Sequence, residues 1–150
     1  MSFIVDYQNA HADASAYNCL GFILGKTEVI GLKKEKASDS LVDVFKKCLA
    51  KNYIRATQKK TWEPERATFV LFNLTTFYDL AFHFHVIRVN FDGTVDNKPD
   101  NKPAESFANL EEFAAKYPEY NLDTAMYFVL DWVKGVASWK EILAKNTRIW

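Results

Sequence analysis

The chain predicts an α+β fold: a largely antiparallel sheet with about four helices packed on one face, the helices concentrated in the C-terminal third. Three observations lead there. Apolar runs of strand length dominate the chain up to residue 91, one helical stripe at 39–52 interrupts them, and helical periodicity returns only after residue 109. Strands first and helices last is the order of α+β rather than alternating α/β proteins. The length of 150 residues suits one domain over 1–150, and a chain of that size buries roughly 70 % of its unfolded surface without a staple.

The elements follow in order. Phe3, Ile4 and Val5 open a short apolar run at 3–7 that reads as a strand. Two further runs, 17–24 and 27–32, are separated by Gly25-Lys26 and read as a hairpin, with Gly21 and Gly31 weakening both strands. Residues 39–52 are the clearest helix. Leu41, Val44, Phe45, Cys48 and Leu49 recur at i, i+3, i+4, i+7 and i+8, and Ser38 or Asp39 can cap the start. Strands are then expected at 54–62, 68–74 and 78–91. On the last, Leu80, Phe82, Phe84 and Val86 share one face, and Asp79, His83, His85, Ile87 and Val89 the other. Asp92-Gly93 signals a tight hairpin.

Residues 96–103 repeat Asp-Asn-Lys-Pro twice. So polar a stretch predicts a long surface loop at 92–106. Beyond it, Asn109 and Glu112 have capping-box spacing ahead of Leu110, Phe113, Ala114 and Tyr117, and Pro118 ends that helix. A second helix is expected from Asp123, with Ala125, Phe128, Val129, Trp132 and Val133 as its stripe and Met126 and Leu130 widening it. A third would start at Ser138.

Nineteen basic and nineteen acidic side chains leave no net charge, which argues against a strongly basic nucleic-acid binder. The balance is local, however. Residues 26–66 hold eleven Lys or Arg against six Asp or Glu. The twelve Phe, seven Tyr and four Trp exceed ordinary usage, and large rings serve either a core or an interface. The opening residues carry no basic region and reach Asp6 too soon for a signal peptide. No apolar run approaches the ~20 residues that span a bilayer. A cytoplasmic protein without membrane contact is expected, with Cys19 and Cys48 reduced.

Motifs for chemistry are sparse. His83 and His85 stand two apart on a strand and can share a zinc ion, but a third ligand is missing, so no metal is expected. Cys19 or Cys48 with a histidine would form a nucleophile and base pair. No local signature surrounds either, and Cys48 falls in an apolar stripe. There is no glycine-rich phosphate loop, no Gly-x-Ser-x-Gly elbow and no Cys-x-x-Cys pair. No cofactor is expected.

The basic stretch at 46–62 remains. Lys47, Lys51, Arg55 and Lys59, with Trp62 as an aromatic anchor, are the candidate partner contacts. The chain is therefore expected to be a non-catalytic binding protein of inhibitor, immunity, adaptor or viral accessory type, meeting an acidic protein partner. The alternatives are a nucleic-acid-binding accessory protein using 46–62 and a small enzyme or metal protein using His83 and His85.

Overall fold

The computed structural model describes residues 3–63, 66–76 and 81–131. Among the described residues, four α-helices, α1 (Phe3–His11), α2 (Cys19–Ile23), α3 (Leu41–Lys51) and α4 (Leu110–Lys116), accompany six strands. The strands are β1 (Ala56–Lys59), β2 (Thr68–Asn73), β3 (Phe84–Val89), β4 (Val95–Asn97), β5 (Glu105–Phe107) and β6 (Met126–Leu130). They form one sheet in the order β1-β6-β2-β3-β4-β5, with every neighbouring pair antiparallel.

The α+β class holds, but the described helices are mostly N-terminal, and the expected C-terminal clustering is corrected. Two readings caused the error. Residues 126–130 form the strand inserted between β1 and β2, where Tyr127, Phe128, Val129 and Leu130 are all buried. A strand apolar on both faces has no alternation and cannot be told from a buried helix by period. Conversely, the 3–7 run opens α1, in which Val5 and Gln8 are buried. The continuation of the expected 123–135 helix and the helix from Ser138 lie outside the described residues.

The expected hairpin at 17–32 is likewise replaced. Residues 19–23 form α2, every residue of it buried. Gly25, at φ 71°, turns the chain out of it. Gly21 is required there, because a Cβ would lie 2.1 Å from the Glu28 carbonyl oxygen. Asn18 caps α2 through Gly21 N–H (3.0 Å) and also binds both backbone groups of Ile30, at 2.7 and 3.1 Å. The segment after α2 is thus stapled to its start without forming a strand.

The helix read at 39–52 is α3. Ser40, rather than Ser38 or Asp39, is its cap, in a reciprocal box with Asp43. Leu41, Val44, Phe45 and Leu49 are buried as its stripe. Phe45 meets Phe128 with ring centroids 4.9 Å apart.

Helices cover both faces of the sheet rather than one. Val5, the α2 residues and the α3 stripe join Phe69, Leu71, Val86 and Phe128 in one core. Leu110 and Phe113 of α4 join Val70, Phe72, Ile87, Val89 and Tyr127 in a second. The alternation read for β3 agrees with this: Phe84 and Val86 face the first core, Ile87 and Val89 the second.

The segment 92–106 is not one long surface loop. It contains β4 and β5, and Asp96, Asn97 and Lys98 are fully buried. The Lys98 ammonium donates to the carbonyls of Ala14 (2.7 Å) and Asp100 (2.5 Å) over the Tyr17 ring. These partners satisfy polar groups that composition alone assigns to water. The second copy of the repeat, from Asp100, is largely exposed.

Candidate functional site

Cys19 is the first residue of α2, and α2 packs against β3. Burial pushes its thiol up to about 11, against smaller downward pulls from the backbone N–H groups of Val86 and Leu20. Val86 follows His85 in β3, so the sulfur sits beside the strand that carries the histidine. Cys19 and His85 line one hollow of about 270 Å³, together with Asn18, Phe82, Phe84, Asp100 and Tyr120.

His85 is held on three sides. It is 4 % exposed, its ring stacks on Tyr120 at 4.6 Å and 10°, and Phe72 lies 6.4 Å away. Its Nε2 lies 2.6 Å from Asn97 Oδ1. The amide's orientation is set from its other end, where Asn97 Nδ2 donates to Glu105 Oε2 at 3.0 Å. Glu105 is in turn held by Lys116 at 2.6 Å and by the Tyr117 hydroxyl. Burial pushes the Glu105 carboxyl up, but those three donors outweigh it and hold it low, so it stays an acceptor.

The protonation of His85 follows. An amide oxygen can only accept, so Nε2 carries the proton and Nδ1 the lone pair. Burial lowers the ring's pKa despite the upward pull of Asn97 and of the Asp100, Glu105 and Glu119 carboxylates. The ring is neutral, and Nδ1 has no hydrogen-bond partner among the described residues. Cys19 packs in the first core and the His85 ring stacks on Phe72 and Tyr120 of the second, so thiol and imidazole reach the shared hollow from the two faces of β3. The Cys19 thiol and the His85 ring are not hydrogen-bonded to each other.

The residues singled out from sequence fall elsewhere or in part. His83 is exposed at the approach to β3, whereas His85 is buried. Among the described residues no group of three His, Cys, Asp or Glu can hold a metal. Cys48 is half-buried, and burial raises its thiol pKa.

The basic stretch divides. Lys47 and Lys51 lie on α3 and flank Glu35, at 3.5 and 3.7 Å. Lys59 is on edge strand β1 opposite Tyr127, on the far face of the sheet from α3, and stands 4.0 Å from Glu63. Arg55 precedes β1 and is exposed. Trp62 is half-buried against the second core, near Gly93. Lys47 and Lys51 therefore lie on the other face of the sheet from Lys59 and Trp62.

Asn97 was hidden in sequence by the polar repeat around it. His85 and Cys19 were visible as residue types, but nothing local signalled that they line one hollow. No family model matches the chain, and no curated protein or solved structure matches it at a significant level.

Proposed function

We propose that the chain is a thiol-dependent acyl hydrolase, with Cys19 as nucleophile, His85 as base and Asn97 as the residue that positions the base. The observation that supports this reading is the pairing of His85 Nε2 with Asn97 Oδ1, which leaves Nδ1 as a lone-pair acceptor on a histidine that lines one hollow with Cys19.

The steps follow from that arrangement. Cys19 Sγ attacks an acyl carbonyl carbon while its proton passes to His85 Nδ1. Collapse of the adduct expels the leaving group, which takes that proton, and leaves a thioester on Cys19. Water, deprotonated by the same nitrogen, then attacks the thioester and releases the acid and the free thiol. A thiol whose pKa is raised reacts by proton transfer during attack rather than as a standing thiolate.

A second reading, the non-catalytic binding protein, is favoured by a lysine-lined hollow on α3. A small activated ester separates the two. p-Nitrophenyl acetate should acetylate Cys19 of the native chain, and the adduct should turn over. Cys48→Ala should leave this unchanged, and Cys19→Ser should abolish it. If Cys19 reacts no faster than Cys48, the catalytic reading fails and the binding reading stands.

A further inference from the structure

The hollow on α3 measures about 450 Å³ and is walled by the segment 26–35 on one side and by Val44, Lys47, Cys48 and Lys51 on the other. Lys26, Lys33, Lys34, Lys47 and Lys51 line it against Glu28 and Glu35, three positive charges in excess. Glu35 is engaged by Lys47 and Lys51. Its position is fixed by Asp39, whose carboxylate accepts the N–H groups of Glu35 and Lys36 at 3.0 and 2.9 Å. Among the described residues no carboxylate lies within ion-pair distance of Lys26, Lys33 or Lys34.

This hollow and the Cys19 hollow share Ile30 and Gly31 as a common wall. That wall is the segment stapled by Asn18, the residue before Cys19. The two hollows therefore lie on either side of one held strip of backbone.

We infer that the lysine hollow docks an acidic segment of a polypeptide, and that this polypeptide is the substrate whose acyl group reaches Cys19. The second half of that inference rests on the hydrolase reading; the docking itself does not. Polypeptide is favoured over nucleic acid on two grounds. No aromatic side chain lines the hollow to stack a base. Two glutamates in the lining also oppose a continuous phosphate backbone, whereas a segment mixing carboxylates with other groups accommodates them.

The test uses the full chain with Cys19→Ala, so that binding is read without turnover. A fluorescein-labelled glutamate-rich peptide is titrated by anisotropy, with a single-stranded oligonucleotide of equal charge beside it. The peptide should bind more tightly than the oligonucleotide, and binding should weaken as salt rises. Lys33→Glu with Lys34→Glu should weaken peptide binding about tenfold at low salt, and Lys59→Glu should leave it unchanged. In the chain with Cys19 intact, the same double reversal should leave acetylation of Cys19 by p-nitrophenyl acetate unaltered. Peptide binding that survives the double reversal overturns the docking inference, and so does tighter oligonucleotide binding. Peptide binding without any Cys19 acetylation overturns only the substrate assignment.

Discussion

Asn97 fixes which nitrogen of His85 carries the proton: its Oδ1 lies 2.6 Å from Nε2, and Glu105 holds the amide from its other side. Removing the amide frees the tautomer and leaves Nε2–H without its partner. Asn97→Ala should slow Cys19 acetylation about a hundredfold and cost about 1–3 kcal/mol of stability, the penalty of an unpaired buried donor. Nitrogen-15 shifts of the His85 ring check the cause directly, passing from one tautomer to a mixture.

The same histidine sets a pH dependence of stability. Unfolded, it takes a proton at its ordinary 6.5; folded, burial lowers that value. Protonation therefore favours the unfolded chain, so stability falls as pH drops below 6.5 and levels off beneath the folded value. Carboxylates held below their ordinary values by hydrogen bonds, Asp39, Asp43, Asp92 and Glu105 among them, then contribute the loss at lower pH. Denaturant midpoints against pH should show both limbs in the native chain. His85→Gln should lack the upper one.

Phe45 tests the packing of α3. It is fully buried and its ring meets Phe128 of β6. Phe45→Ala should cost ~3–5 kcal/mol by chemical denaturation. A variant as stable as the parent would contradict the contact between α3 and the sheet.

Asn18 tests the strip between the two hollows. One amide serves Gly21 N–H and both backbone groups of Ile30. Asn18→Ala should cost roughly 2 kcal/mol and raise amide hydrogen exchange over residues 28–31. Unchanged exchange there would show that the strip is held by something else.

What the sequence disclosed follows from where periodicity survives burial. The stripe of α3 was legible because that helix buries one side-chain set in a regular order, and β3 was legible from its run of β-branched and aromatic residues although both its faces are buried. Residues 19–23 and 127–130 were misread because they are buried on every side, which erases the period. The two copies of Asp-Asn-Lys-Pro show the limit most plainly. The first supplies β4, a fully buried lysine and the amide that orients His85, while the second is largely exposed. Their difference lies in long-range partners such as Ala14 and His85, which no local reading contains. The lysines of 26–36 were visible as a charge excess, but the hollow that gathers Lys26, Lys33 and Lys34 with Lys47 and Lys51 is a tertiary arrangement that no local reading contains.

The rate of Cys19 acetylation against pH tests the central claim most directly. If His85 takes the proton as sulfur attacks, the rate should follow the neutral form of the ring, half-rising below pH 6.5 and holding a plateau through neutrality. His85→Gln should remove that plateau and leave a rate that rises only near the thiol's own value of about 11. A native profile that already rises only near 11 would mean that Cys19 is a buried thiol and His85 is not its base.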